Sequence, residues 1–232
     1  MPISTYLADA AAAAKAAGAD GVEIHCSHDS LPQSFLSPAL NLRTDRWGGG
    51  ATERVRFVIE TLERVRKRIG TSIALGIRLN GQEFRQGGYD HLEMREMSYA
   101  IGETGLLDFV NLDVGHSWGP HSYVPPSFYS PAEYREVGKA ARADLDSKIK
   151  IIFAGRVNDP VVAEELLKGE YCDLVGMARA GIADPEFANK AREGRLIEIR
   201  RCIACNRCIQ EANDSDLPDG LSSSPLVQSI LS

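Results

Sequence analysis

The chain has 232 residues, of which 44% are hydrophobic and 25% are charged, and its formal net charge is -6. This composition is typical of a globular protein with a sizeable core and differs from that of a disordered chain. The acidic balance, without an evident basic patch, argues against nucleic acid or an anionic membrane as a partner and favours a small metabolite.

In the first half of the chain, helical and strand patterns alternate. The Ala-rich start is amphipathic and predicts a helix, which is followed by a short β-branched strand at 20–26. A polar, Gly-rich loop is predicted up to Gly50. Apolar residues at helical spacing then predict a helix at 52–70, and the next strand is predicted at 72–80.

The second half continues the same alternation. Asp90 and Glu93 form a capping-box pattern that opens a predicted helix, and a strand is predicted at 107–113. A helix from Pro131 to about Ala143 comes next. The remaining predicted elements are a strand at 148–155, a helix at 158–170, a strand at 172–178 and a helix at 184–194. Strict alternation predicts parallel strands joined by helical crossovers, so the fold class is α/β.

The cysteines and the N-terminus bear on the location of the protein. The start of the chain lacks the basic residues and the apolar core of a signal peptide, and no apolar run is long enough to span a bilayer. Three of the five cysteines lie in the sequence CIACNRC. This pattern favours a reducing compartment and a metal or cluster site over a disulfide framework. The sequence therefore predicts a cytoplasmic protein.

Two architectures compete, an open doubly wound sheet and a closed barrel of eight strand and helix units. An open nucleotide-binding sheet would carry a Gly-x-Gly-x-x-Gly turn after an early strand, and none is present. In a barrel, a phosphate site follows the last two strands, where this chain has AGR and MARAG. Arg156 and Arg179 in these sequences suit a phosphate monoester. The sequence favours part of a barrel, because five strands are predicted rather than eight.

A longer set of motifs resembles one family. The motifs are GADGVEIH with a second histidine, LPQSFLSPALNLRTDRWGGGATERVRF, IRLN, FAGRVNDP, GMARAGIADPEF and CIACNRC. Together they resemble the Old Yellow Enzyme family of FMN oxidoreductases, and within it the branch of trimethylamine dehydrogenase and dienoyl-CoA reductase. The resemblance implies the last five units of a TIM (β/α)8 barrel over residues 1–200. It further implies a truncated iron–sulfur type of cysteine motif and a disordered tail over residues 201–232.

The resemblance implies that FMN lies at the C-terminal ends of the strands. Arg78 matches the arginine near the pyrimidine edge of the flavin, where a fixed positive charge stabilises the reduced ring. The phosphate site is matched by Gly155, Arg156, Ala178 and Arg179.

The resemblance also implies a set of catalytic residues. His25 and His28 match the pair that hydrogen-bonds the substrate over the flavin, and Asp113 matches an aspartate that partners the active-site histidine. Such a pairing orients the ring and raises its basicity, which suits amine oxidation. Ser30 replaces a tyrosine that donates a proton in many family reductases, which weighs against ene reduction. The loop after Asp113 is predicted to line the substrate pocket with His116, Trp118, His121 and Tyr123.

Cys202, Cys205 and Cys208 match three ligands of the 4Fe-4S cluster in that branch. The fourth ligand is expected about a dozen residues later, where this sequence reads DLPDGLSSSP, whereas a cubane normally takes four thiolates.

The predicted function is hydride transfer between FMN and a small molecule, an N-methylated amine being favoured, with NAD(P)H as a further candidate electron donor. The alternatives are an NAD(P)H-dependent ene reductase and an inactive fragment that does not hold FMN alone. A barrel lyase or aldolase would require a strand-end lysine, which is absent. A homo-oligomer or a complementing barrel half is the predicted protein partner.

Overall fold

The structure is a computed structural model that describes residues 3–116 and 123–209. The strands are β1 (Gly21–Cys26), β2 (Ala74–Asn80), β3 (Phe109–Asp113), β4 (Lys150–Ala154) and β5 (Leu174–Gly176). The helices are α1 (Ile3–Ala16), α2 (Leu31–Leu36), α3 (Ala51–Arg54), α4 (Arg56–Ile69), α5 (His91–Gly102), α6 (Glu136–Arg142), α7 (Pro160–Lys168), α8 (Arg179–Ala183) and α9 (Phe187–Arg192). A short 3-10 turn follows at Leu196–Glu198. Each predicted strand is confirmed.

The strands form one parallel sheet in the order β1-β2-β3-β4-β5. Each strand therefore pairs with its neighbour in sequence, and the order does not reverse. A doubly wound sheet has a switch point at which the strand order reverses, whereas a barrel adds each strand next to the previous one. The topology thus confirms the prediction of a partial barrel.

The two faces of the sheet have different environments. In β2, Leu75, Ile77 and Leu79 are fully buried in the same core as Leu62 of α4. Arg78 points to the opposite face, because successive side chains of a strand alternate. This second face carries polar residues at the C-terminal end of the sheet, which is where a barrel places its chemistry.

The structure differs from the prediction in two loops. The predicted loop before Gly50 contains the short helix α2, with Pro32 in its first turn, a position that proline favours. The helix predicted from Pro131 begins only at Glu136. Ala132 has a φ of 52°, and a residue in this left-handed region cannot belong to a right-handed helix.

Other boundaries agree with the sequence patterns. The Asp90 side chain accepts hydrogen bonds from the backbone N–H groups of Leu92 and Glu93, which confirms it as the cap of α5. The predicted helix at 52–70 is present as α3 and α4, separated by one residue. In the part of the chain that the structure describes, no helix combines the length and the apolar content needed to cross a membrane. The predicted tail after residue 209 lies outside the described residues.

Candidate active site

A buried carboxylate lies at the C-terminal end of β3. Asp113 is 2% exposed, and its carboxylate accepts hydrogen bonds from Ser27 Oγ at 2.6 Å and from Arg78 Nε at 2.6 Å. The same oxygen that binds Arg78 also contacts His28 Nε2. These residues come from three neighbouring strands or the turns after them, which end at one edge of the sheet. The structure therefore brings together three of the predicted site residues.

The surroundings of Asp113 keep it ionised. Burial by itself would raise the pKa of this carboxyl, but the hydrogen bond and charge of His28, the charge of Arg78 and the hydrogen bond from Ser27 lower the pKa below its usual value. A buried carboxylate that stays charged at neutral pH orients the imidazole ring next to it.

The turn after β1 positions His28. His28 and Asp29 have φ values of 55° and 59°, and two successive non-glycine residues in the left-handed region are unusual. Arg85 Nη2 donates to Asp29 Oδ1 at 2.7 Å, and Ser30 Oγ donates to the backbone oxygen of His25 at 2.9 Å. These contacts stabilise the turn, and the hydroxyl of Ser30 thus serves the local backbone structure.

Two aromatic rings contact His28. The ring of His25 makes an edge contact with a centroid distance of 4.9 Å, and the ring of Tyr123 stacks on His28 at 4.0 Å with an angle of 28°. Partial burial, together with the neighbouring charge of His28, lowers the pKa of His25 below 6.5. His25 is therefore a neutral hydrogen-bonding group at neutral pH.

A cavity of about 420 Å³ adjoins this cluster. Its volume is within the range of small-molecule sites, which is roughly 300–1,000 Å³. All the cofactor-binding residues predicted from the sequence line it, as do both histidines. The lining includes His25, His28, Arg78, Tyr123, Gly155, Arg156, Ala178 and Arg179.

The loops after β4 and β5 supply two arginines to this cavity. Arg156 has a φ of 54°, and its buried Nε has no hydrogen-bond partner among the described residues. Arg179 Nη1 donates to the backbone oxygen of Pro125 at 2.9 Å, and burial lowers the pKa of its guanidinium. A Cβ on Gly155 would lie 2.7 Å from the ring of Phe153, so a glycine is required for this close approach. A buried N–H without an acceptor is costly, which fits a site for an anionic group.

Residues 2–198 match the NADH:flavin oxidoreductase / NADH oxidase family. The chain belongs to this family. The prediction from the sequence motifs is thereby confirmed, and the arginine-lined cavity at the ends of the last two strands lies where the motifs implied a phosphate site.

Individual members of the NADH:flavin oxidoreductase family are similar to this chain over most of its length. An N,N-dimethylglycine/sarcosine dehydrogenase of Chromohalobacter salexigens is 35% identical over 199 residues, which are 84% of this chain and 28% of that protein. The structure of 2-naphthoyl-CoA reductase in complex with 2-naphthoyl-CoA superposes with a TM-score of 0.80 at 32% identity, covering 88% of this chain and 31% of that one. Histamine dehydrogenase from Rhizobium sp. 4-9 gives a TM-score of 0.80 at 30% identity, covering 89% of this chain and 30% of that one. The chain therefore spans less than a third of the length of these relatives.

FMN is the cofactor of this family, and the described residues fit it. The buried Arg156 Nε has no acceptor within residues 3–116 and 123–209, and Arg179 adds a second cation to the same cavity, so a phosphate would find two guanidinium groups. Arg78 lines the cavity as well and would supply a positive charge to a flavin ring.

The three cysteines of the motif differ in their surroundings. Cys202 lines the cavity, and its backbone oxygen accepts a hydrogen bond from Asn158 Nδ2 at 2.7 Å, whereas Cys205 is exposed. Within residues 3–116 and 123–209, no three His, Cys, Asp or Glu side chains are grouped to hold a metal ion. The role of Cys202, Cys205 and Cys208 as cluster ligands stays a prediction from the motif, and the position expected for the fourth ligand lies outside the described residues.

Some site residues were not predicted from the sequence. Ser27 donates to Asp113, but a serine between two histidines gives no pattern from which this contact follows. Asn206 accepts a hydrogen bond from Arg179, but as a single asparagine among the cysteines of the motif it gives no pattern that predicts this contact. Tyr123 was predicted and lines the cavity, and His116 is buried. Trp118 and His121 lie outside the described residues.

Proposed function

We propose that this chain forms part of an FMN-dependent oxidoreductase site that transfers a hydride between a small organic substrate and FMN, and that the substrate is an N-methylated amine. The observation that carries the proposal is the contact between His28 and the ionised Asp113, next to a cavity that Arg156 and Arg179 also line. The first pair suits proton transfer, and the two arginines suit a phosphate.

The roles of the residues follow from their charges. Bound FMN would supply a hydride acceptor and a carrier of the two electrons. Arg156 and Arg179 would hold its phosphate, and Gly155 lines the same cavity. Arg78 contributes positive charge near the ring, where the reduced cofactor is more negative.

His28 and Asp113 act on the substrate. An amine loses a hydride from its α-carbon only when its nitrogen lone pair is available, so a protonated amine must first give up a proton. His28 accepts this proton at Nδ1, the ring nitrogen opposite the one that contacts Asp113. The negative charge of Asp113 stabilises the imidazolium that results. Neutral His25 donates a hydrogen bond to the substrate from the same side of the cavity.

The choice of an amine over an enone depends on Ser30. Reduction of a carbon–carbon double bond requires a proton donor to carbon, and the Ser30 hydroxyl donates to the backbone oxygen of His25. Ser30 is also far less acidic than a phenol. An imidazole paired with a carboxylate is a base, which is what amine oxidation requires.

The proposal also covers the cellular location of the protein and its protein partner. The five cysteines are free thiols in the structure, in keeping with a cytoplasmic location. Residues 1–200 contribute the flavin site, and a second copy of this chain or a complementing barrel half completes it.

The first experiment titrates the purified chain with FMN and with riboflavin, and the quenching of flavin fluorescence measures binding. Since riboflavin lacks the phosphate, we expect FMN to bind at least about tenfold more tightly, a difference equivalent to 1.4 kcal/mol. Arg156→Ala should remove this preference. Arg68→Ala is the matched control, because Arg68 is exposed and pairs with Asp9 on the outer surface.

Substrates are then tested under anaerobic conditions on the FMN-loaded chain. N-methylated amines should bleach the visible flavin absorption, and Asp113→Asn should slow the bleaching. Bleaching by NADH and re-oxidation by an enone, with no response to amines, would show that the chain is an ene reductase instead. A chain that binds neither flavin contradicts the proposal and supports an inactive fragment.

A further inference from the structure

One side chain of the cysteine motif contacts two parts of the cavity wall. Asn206 Oδ1 accepts a hydrogen bond from Arg179 Nη1 at 2.5 Å, and Asn206 Nδ2 donates to the backbone oxygen of Val124 at 2.8 Å. Arg179 Nη1 also donates to the backbone oxygen of Pro125. Asn206, Arg179 and residues 124–125 thus form one hydrogen-bonded group.

Both bonds require an amide at this position. The oxygen faces a guanidinium donor, and the nitrogen faces a carbonyl acceptor, so an aspartate would lose the second bond and a small apolar side chain would lose both. The backbone adds a second requirement, because Asn206 has a φ of 60°. Asparagine tolerates this left-handed conformation better than most residues. The backbone and the two contacts favour the same residue type.

The two contacts of Asn206 connect it to the proposed phosphate site and to the aromatic ring that packs on His28. Arg179 is one of the two arginines proposed to bind the phosphate. Val124 follows Tyr123, whose ring stacks on His28 at 4.0 Å, and His28 in turn contacts Asp113. A change at Asn206 would therefore move a cation that binds the cofactor and an aromatic ring that packs against the proposed base.

We propose that Asn206 is a positioning residue of this cavity: its amide fixes the guanidinium of Arg179 for an anionic phosphate and fixes residues 123–125 against His28. The cysteine-bearing segment is thereby a structural part of the flavin site, whether or not its thiols bind a metal. The identity of the ligand rests on the proposed function, whereas the link between Arg179 and residues 123–125 rests on the hydrogen bonds of Asn206.

A simpler explanation is that Asn206 only attaches the C-terminal segment to the body of the protein. Asn158, which lines the same cavity, provides the control for this explanation. Its side chain donates to the backbone oxygen of Cys202 at 2.7 Å, and so it attaches the same segment through a different contact. If attachment alone matters, the loss of either asparagine should have the same effect.

The experiment compares Asn206→Gly and Asn158→Ala with the wild-type chain. Glycine accepts the positive φ of position 206, so the variant removes the amide without straining the backbone. Dissociation constants are measured for FMN and for riboflavin. We expect Asn206→Gly to weaken FMN binding about tenfold, a factor equivalent to 1.4 kcal/mol, and to leave riboflavin binding within about twofold. Asn158→Ala should preserve the preference for FMN.

A second measurement needs no flavin. Hydrogen–deuterium exchange of the backbone amides of Val124, Ser127, Phe128 and Tyr129 is followed in the three proteins without cofactor, since Pro125 and Pro126 have no amide hydrogen. We expect faster exchange in Asn206→Gly only, because this variant alone releases residue 124. Unchanged exchange and an unchanged FMN preference in Asn206→Gly overturn the proposal, as does an equal loss of FMN and riboflavin binding in both variants. If the wild-type chain binds no FMN, the proposed function fails, and the exchange measurement alone decides whether Asn206 positions the loop.

Discussion

The replacement of Asp113 by alanine tests the reasoning about the buried cluster. Asp113 is 2% exposed and receives hydrogen bonds from Ser27 and Arg78, and its Oδ2 contacts His28. Asp113→Ala removes all three contacts at once and leaves the guanidinium of Arg78 without its carboxylate. Asp113→Asn is the milder change, because an amide oxygen still accepts from Arg78 while the amide nitrogen faces the Ser27 hydroxyl, which can accept as well as donate.

The expected magnitudes follow from burial. Removing one partner of a buried ion pair costs about 3–5 kcal/mol of unfolding free energy. The side chains of Arg78 and His28 are 25% and 17% exposed, so water partly solvates the cation left behind. We therefore expect Asp113→Ala to lower the unfolding free energy by about 3 kcal/mol, the lower end of this range. Asp113→Asn loses the charge and keeps most hydrogen bonds, so we expect the unfolding free energy to fall by about 1.5 kcal/mol.

The assay is urea unfolding at pH 7, monitored by circular dichroism. Asp45→Ala, at an exposed position, serves as the control and should leave the unfolding midpoint nearly unchanged. The pKa of Asp113 is lower in the folded state than its usual 3.8, so the stabilisation is present above that pH and is lost as the pH falls further. The difference between the wild type and Asp113→Asn should shrink accordingly in acid. A loss below about 1 kcal/mol for Asp113→Ala at pH 7 would refute the description of a tightly paired buried carboxylate.

Three other changes test the fold. Asp184 accepts a hydrogen bond from Lys190 Nζ at 2.7 Å, and its pKa is lowered to about 2. The stabilisation by this pair is therefore present above pH 3.8 and is lost as the pH falls towards 2. Asp184→Asn should make the unfolding free energy, measured by circular dichroism, depend less on pH in this range. A Cβ at Gly138 would overlap the backbone oxygen of Tyr171, so Gly138→Ala should lower the unfolding free energy by about 1–3 kcal/mol in urea unfolding, and an unchanged midpoint would contradict the close packing of α6. Leu112→Ala in the fully buried face of β3 should cost about 2–5 kcal/mol in the same assay, whereas a smaller loss would indicate a loosely packed core.

The sequence by itself determined the alternation of elements and most of the site's composition. Short β-branched runs and helical spacing are local properties, so the five strands were predicted to within two residues. The motifs placed His28, Arg78, Asp113, Arg156 and Arg179 at strand ends, and all of these residues contact the cavity or its buried carboxylate. Local rules failed where a single backbone angle decided the outcome, as at the start of α6.

Only the tertiary structure decided which of these groups contact one another. The order of the strands in the sheet depends on pairing between distant segments, and this order brings Arg78 and Asp113 within hydrogen-bonding distance at the C-terminal ends of adjacent strands. The contact of Ser27 with Asp113 spans 86 residues and that of Asn206 with Val124 spans 82, and neither leaves a periodicity in the sequence. A hydrogen bond between distant residues depends on distances of a few tenths of an ångström, which the folded backbone sets and a one-dimensional pattern does not contain.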